Sequence, residues 1–217
     1  MSFFVELKNV TKTIRGHRVL NDIELKLPAG KIYGFQGKNG SGKTMLLRAI
    51  SGLIKPTSGE VYINQKKLHN NFPEDMGLLI EYPGFLPSYT GFKNLKILAS
   101  IQNKINDQKI NEALKNVGLD PNDKRKVKKY SLGMKQRLGI AQALMEDPDL
   151  IILDEPTNAL DKSAVELVRS LLLHLKDKGK TIIIASHDQE ELQALCDELF
   201  TIENGEIIEK KTIKISV

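Results

Sequence analysis

The 217 residues include one cysteine, Cys196, so no disulfide can form within the chain. It falls in an apolar-periodic run with Leu192, Leu195 and Leu199, which reads as a small packing residue rather than a reactive thiol. Long hydrophobic runs are missing too. The longest, such as Leu150 to Leu153 and Ile182 to Ala185, fall far short of the roughly 18 residues that a membrane-spanning helix needs. The apolar part of the opening Met1 to Glu6 is too short for a signal peptide, so the expected location is the cytosol. No internal repeat or low-complexity tract is visible. With 41% hydrophobic and 27% charged residues, the rest is an ordinary globular composition, long enough for one good core and a second lobe.

The net charge of +5 raises the question of nucleic acid, because lysine and arginine neutralise phosphates. The densest cluster is Lys124, Arg125, Lys126, Lys128 and Lys129. No aromatic residues interleave with it and no base-reading motif accompanies it, so no nucleic-acid partner is expected. A solvated loop is the plain reading of the cluster; an acidic lipid surface or a partner is the other.

Up to Leu27 the pattern alternates as strands do, Val5 and Leu7 against Glu6 and Lys8, then Ile23, Leu25 and Leu27 against Asp22, Glu24 and Lys26, which predicts a small antiparallel sheet. Short apolar strands follow at Ile32 to Phe35, Val61 to Ile63 and Met76 to Ile80, with a turn from Lys55 to Gly59. From Thr90 the period becomes helical. Helices are expected after Thr90, from Asp107 to Val117 behind an Asn106 cap, and from Leu132 to Met145, making a helical block at about 88–147 inserted between strands. Strands return at Leu150 to Leu153 and Thr181 to Ala185, with helices at Lys162 to Lys178 and Gln189 to Cys196. A hairpin turned by Asn204 and Gly205 ends the chain.

Two motifs carry chemistry. Gly37, Lys38, Asn39, Gly40, Ser41, Gly42, Lys43 and Thr44 fit the phosphate-loop pattern, with a strand before and a helix after as that pattern requires. Its glycines let backbone N–H groups turn inward around phosphate oxygens, and the helix N-terminus adds positive potential. Lys43 would reach the terminal phosphates and Thr44 would offer its hydroxyl to Mg2+. Further on, the apolar strand Leu150 to Leu153 ends in Asp154 and Glu155, at the carboxyl edge where parallel sheets bind ligands. Asp154 suits holding Mg2+ through its water shell and Glu155 suits polarising an attacking water.

Tyr130, Ser131, Leu132, Gly133, Met134, Lys135, Gln136 and Arg137 resemble the signature loop of ATP-binding-cassette (ABC) ATPases. Pro156 to Asp161 resembles that family's D-loop, and Ser186 with His187 its switch histidine. The resemblance covers essentially the whole chain. It implies an α/β fold, a P-loop NTPase with a RecA-like core, an N-terminal antiparallel β-subdomain and an inserted helical subdomain, all within one nucleotide-binding domain over residues 1–217. It also implies ATP and Mg2+ as cofactors and a head-to-tail dimer with a second ATPase subunit. In that dimer Ser131 and the Gly133 N–H would contact the terminal phosphate held by the other subunit's loop, Asp161 would border the nucleotide, and His187 would help to place the water. The pore would be a separate integral membrane permease, with this chain peripheral on its cytoplasmic side.

Three positions depart from the family pattern. Leu132 stands where Gly is common and Met134 where Gln is common; the aromatic that stacks on adenine would fall near Ile14, leaving Arg15 or His17 to cover the base. In the Q-loop, Glu81 occupies the place of Gln, where it would join the metal shell, and the segment Tyr82 to Tyr89 would be an exposed loop facing the permease. This variant resembles the ATPases of bacterial exporters for peptide antibiotics of the bacitracin and lantibiotic type. The alternatives are a soluble ATPase of the same superfamily acting on ribosomes or DNA and, more distantly, a P-loop kinase.

Overall fold

The structure, a computed structural model, describes residues 4–69, 73, 75–81 and 84–213. Met1 to Phe3 of the opening segment, and Tyr82 and Pro83 of the expected loop, lie outside them. In chain order the elements are β1 (Val5–Ile14), β2 (His17–Leu27), β3 (Ile32–Gln36), α1 (Lys43–Ile50), β4 (Ser58–Ile63), β5 (Lys66–Lys67) and β6 (Met76–Leu79). Then come α2 (Gly91–Gln102), α3 (Asp107–Asn116), a short 3-10 turn (Val127–Lys129), α4 (Leu132–Leu144) and β7 (Leu150–Asp154). The chain finishes with α5 (Lys162–Asp177), β8 (Thr181–Ser186), α6 (Gln189–Leu195), β9 (Glu198–Glu203) and β10 (Glu206–Thr212).

The alternating N-terminal strands build an antiparallel sheet in the order β2-β1-β4-β5, as their period predicts. Ser58 and Gly59, expected in a turn, belong to β4. The second sheet runs β10-β9-β3-β8-β7-β6, parallel throughout except for the β9–β10 hairpin. Its central strands are apolar without alternation because both faces are covered. Ile32, Ile151, Leu153, Ile182 and Ile184 join a core shared with the helices α2 to α6. Tyr33, Phe35, Leu150, Ile152, Ile183 and Ala185 join the opposite core, shared with α1 and the antiparallel sheet. Each such side chain, removed from water, contributes about 1.5–3 kcal/mol.

Between β6 and β7 the chain passes through α2, α3 and α4, each started by the cap its sequence carries. Thr90 accepts from Lys93 N, Asn106 from Lys109 N and Ser131 from Met134 N, satisfying N–H groups that a helix start leaves free. No described helix is long and apolar enough to cross a membrane. Cys196 is buried, and burial pushes its thiol well above the usual range, which suits packing and disfavours reactivity. His17, His69 and His174 are exposed.

The tightest joint in this arrangement is at Gly77 of β6. A Cβ there would stand 1.8 Å from the carbonyl oxygen of Ala143 in α4, so strand and helix touch backbone to backbone. Gly77→Ala must push α4 off the sheet, an overpacking that costs about 1–3 kcal/mol. For a chain of this size each kcal/mol lowers Tm by roughly 2–4 °C. A thermal melt should show a drop of about 5 °C; an unchanged Tm would mean that β6 and α4 are not in this contact.

Candidate functional site

Because β3, β7 and β8 are parallel neighbours, the segments that follow them emerge at one edge of the sheet. The segment after β3 is the phosphate loop. Gly42 caps α1 at φ 112°, a backbone shape that side chains disfavour. Lys43 is buried and folds back over the loop, its Nζ donating to the carbonyls of Gly37 at 2.6 Å and Lys38 at 3.3 Å. Ser41 Oγ is buried with no hydrogen-bond partner among the described residues.

The loop is held from behind by the β9–β10 turn. Gly205 N donates to Ser41 O at 2.8 Å, and Gly205 O accepts from Asn21 N of β2 at 2.8 Å. A Cβ on Gly205 would lie 2.7 Å from Val19 O, so turn, loop and β2 meet with no room for a side chain.

Thr44, second residue of α1, donates from Oγ1 to Asp154 Oδ2 at 2.7 Å. Asp154 closes β7 and is buried. Burial pushes its carboxyl up; the Thr44 hydrogen bond pulls it down, the charge of Glu155 raises it further and Lys43 opposes the rise. Glu81 is exposed, with its backbone at φ 58°, and its carboxylate accepts from Arg48 Nη2 of α1 at 2.6 Å.

Glu155 continues the ladder for one more bond, its N–H donating to Ala185 O at 2.8 Å, and then turns at φ 49°. The turn brings Oε2 to the end of β8, where it accepts from His187 Nδ1 at 2.8 Å and Ser186 Oγ at 3.3 Å. Gln136 of α4 donates from Nε2 to the carbonyls of Glu155 (2.9 Å) and Pro156 (3.1 Å). Thr157 donates to Glu191 Oε2 of α6 at 2.5 Å, and burial raises the Glu191 carboxyl.

A cavity of about 660 Å³ opens over the loop. Of the residues expected from sequence, Asn39, Gly40, Ser41, Gly42, Lys43, Thr44, Glu81, Asp154 and Glu155 line it. Gly37 and Lys38 act one step back, through the carbonyls that hold Lys43. Ser131, Gly133, Asp161 and His187 are not on its wall. Ser131 caps α4, Gly133 lies against the Ala159 backbone, Asp161 caps α5 by accepting from Ala164 N at 2.9 Å, and the exposed His187 reaches Glu155. Leu132, where the family pattern has Gly, does line the cavity.

At the end expected to take the base, the cavity wall is made by other residues. Arg18 and Val19 of β2 line the cavity, and Ile14, Arg15 and His17 do not. Arg18 donates to Asn21 Oδ1 at 3.2 Å. Sequence reasoning also missed Gln136, Asn158 and the Asn204–Gly205 turn. Gln136 and Asn158 lie within the stretches that resemble the signature loop and the D-loop, and the turn's signal spoke of a hairpin rather than of its contact with the phosphate loop.

A family model for the ABC transporter matches residues 20–158. The chain is 48% identical to the ABC transporter ATP-binding protein YybJ of Bacillus subtilis (strain 168), over 94% of each. It is 39% identical to the bacitracin transport ATP-binding protein BcrA of Enterococcus faecalis, over 98% of this chain and 70% of that one. With the lantibiotic transport ATP-binding protein SrtF of Streptococcus pyogenes it shares 35%, over 95% and 90%. Among solved structures it is similar to the dimeric bacterial ABC transporter cassette MJ0796, with a TM-score of 0.89 and 28% identity over 97% of this chain and 99% of that one. All of these are transporter components, so the expected alternative of a soluble ATPase on ribosomes or DNA is set aside. The chain belongs to the ABC transporter family, as an ATP-binding and ATP-hydrolysing subunit.

Proposed function

We propose that this subunit drives export of a peptide antibiotic or similar compound through a separate integral membrane permease, from the cytoplasmic face. The likeness to BcrA and SrtF supports the cargo class. One observation carries the chemistry: two hydrogen bonds, Thr44 to Asp154 and His187 to Glu155, end on consecutive carboxylates that line the phosphate-loop cavity.

In this reading the N–H groups of residues 39–44 surround the phosphates, and Lys43 gives up the Gly37 and Lys38 carbonyls to meet the terminal one. Glu155 takes a proton from the attacking water and His187 orients the Glu155 carboxylate through Nδ1. Ser131 and Gly133, at the N-terminus of α4, are not on this cavity's wall and serve the nucleotide of a second ATPase subunit, identical or different. Asp161 acts at the same boundary.

The residues also fit Mg2+. A hydroxyl and a carboxylate, Thr44 and Asp154, stand 2.7 Å apart, and both are the hard oxygen donors that this ion prefers. Among the described residues no group of three His, Cys, Asp or Glu side chains converges there, which suits an ion that keeps waters and phosphate oxygens as its other ligands. Glu81 could join that shell by leaving Arg48. The ion would supply charge neutralisation on the phosphates.

Asp154 tests the metal reading without catalysis. Its carboxyl is raised in the folded chain, so the folded state takes up a proton before the unfolded state does as pH falls. The folded form is therefore penalised once pH rises through the raised pKa, and the penalty vanishes below the ordinary Asp value of about 3.9. Without nucleotide or metal, Asp154→Asn should melt higher than the wild type at pH 7, with the gap closing in acid. Mg2+ with ATP should then raise the Tm of the wild type more than that of the variant. A variant less stable at pH 7, or equal gains with Mg2+, would count against the assignment.

For catalysis, Glu155→Gln should keep ATP binding, slow hydrolysis about 100- to 10,000-fold and accumulate a dimer on size exclusion with ATP. Wild-type turnover per site should fall on dilution; turnover independent of concentration would refute the shared site. For the partner, capture of the tagged subunit from detergent extract should bring down a polytopic membrane protein. Recovery of ribosomes in its place would overturn the transporter assignment.

A further inference from the structure

Glu191 of α6 is a buried acid, 8% exposed, that the chemistry above does not use. It stands three residues after Asp188, whose side chain caps α6 by accepting from Glu191 N at 3.1 Å. In a capping box the acid at this place reaches back to the N–H of the cap. Here that N–H donates to Ser186 Oγ at 3.1 Å, so the cap is satisfied without the Glu191 carboxylate. The carboxylate leaves the helix and accepts from Thr157 Oγ1 at 2.5 Å. Thr157 lies two residues beyond Glu155, and Ser186 Oγ, which holds Asp188, itself donates to Glu155 Oε2 at 3.3 Å. The bonds therefore close a ring through Glu155, Thr157, Glu191, Asp188 and Ser186, with His187 Nδ1 on the same Glu155 oxygen.

From this ring we infer that Glu191 is a positioning residue for hydrolysis: by holding Thr157 it fixes where the segment after β7 stands against the turn that carries His187. The histidine needs such support because its side chain is 62% exposed, so packing does not set its place. Its distance from Glu155 depends on how residues 186–188 and 155–157 are held to each other. The same segment is gripped from α4 as well. Gln136 donates to the carbonyls of Glu155 and Pro156, and a Cβ on Gly133 would lie 2.8 Å from Ala159 O. Thr157 is where α6 joins that grip. Asn158 and Ala159, next in the chain, are on the cavity wall, so a shift at Thr157 reaches the nucleotide cavity too. Burial raises the Glu191 carboxyl; Thr157 and Arg169 lower it, and Asp188 and Glu155 raise it. A buried acid in such surroundings adds little to stability, which leaves placement as what the bond contributes. The inference rests on the roles proposed for Glu155 and His187.

Steady-state ATP hydrolysis by the full chain tests it, at protein concentrations where turnover per site has levelled off, so that subunit pairing does not limit the rate. Thr157→Val keeps the shape and removes the hydroxyl. Its kcat should fall about 10- to 100-fold, the loss that a small misplacement near a reacting group causes, with KM for ATP within about twofold of the wild type. Thr157→Ser keeps the hydroxyl and should recover most of the rate. Thr157→Val combined with Glu191→Leu removes both partners and leaves neither unpaired, so it should melt close to the wild type yet hydrolyse as slowly as Thr157→Val alone. A bond that served the fold alone would give back the rate together with the Tm. An undiminished rate in Thr157→Val, a KM that rises as far as kcat falls, or a double variant with wild-type kcat would overturn the inference. Glu155→Gln in the same assay reads the base assignment separately. A slow Glu155→Gln beside an unaffected Thr157→Val removes only the role of Glu191, whereas full hydrolysis by Glu155→Gln removes the reading on which that role rests.

Discussion

The hydrogen bond from Thr44 to Asp154 joins two parts of the chain separated by 110 residues, and the site exists because that bond can form. It requires β3 and β7 to run parallel with β8 between them, so that α1 begins where β7 ends. Parallel strands of this kind have to be buried on both faces. The antiparallel sheet with α1 supplies one cover and the helices α2 to α6 supply the other. The polar edge is thus a consequence of the apolar layers, and Asp154 is buried because it is the last residue of a strand whose every position is buried.

Most of this was legible in the sequence because the signals were local. The apolar runs at Leu150–Leu153 and Thr181–Ala185, the caps Thr90 and Asn106, and the Asn204–Gly205 turn each lie within a few residues of the structure they specify, and each is found there. The phosphate loop carried its own pattern. What sequence could not supply were meetings between distant segments. Gln136 holds the carbonyls after β7, Glu191 binds Thr157, and Gly205 binds Ser41. Their partners lie 19, 34 and 164 residues away, and no spacing rule connects them. The cavity wall near the expected base end differs for a related reason. Ile14 to His17 sit at the tip of the β1–β2 hairpin, while the cavity is reached one step further along β2 at Arg18 and Val19, a difference that depends on how far the hairpin projects.

Four non-glycine residues on the cavity wall, Glu81, Glu155, Ala159 and Asn204, hold positive φ, at 58°, 49°, 63° and 49°. Each such backbone costs about 1–3 kcal/mol and persists where the surroundings overdetermine it. Glu155 meets that condition. Its N–H is tied to Ala185, its carbonyl to Gln136 and its carboxylate to His187, so backbone and side chain are fixed from three elements at once. A carboxylate held in this way keeps one orientation, which suits the role of base proposed for it.

Glu81 is fixed more loosely. Its one described side-chain bond is to Arg48, with the two side chains 59% and 30% exposed, and ion pairs so open to water contribute about 0–1 kcal/mol. Such a bond can be exchanged for another cation at little cost. The contrast separates the two carboxylates: the one at the end of β7 is fixed through both backbone and side chain, and the one after β6 is held by a single exposed ion pair. Arg48 also accounts for why a carboxylate, in place of the neutral amide of the family pattern, is tolerated here. It sits four residues after Thr44 on α1, so it balances the added negative charge beside Asp154, whose own carboxyl Glu81 pushes up. A Gln at this position would relieve Asp154 of that repulsion, and it would leave Arg48 without a counter-charge on the loop that leads to Leu86 and Tyr89.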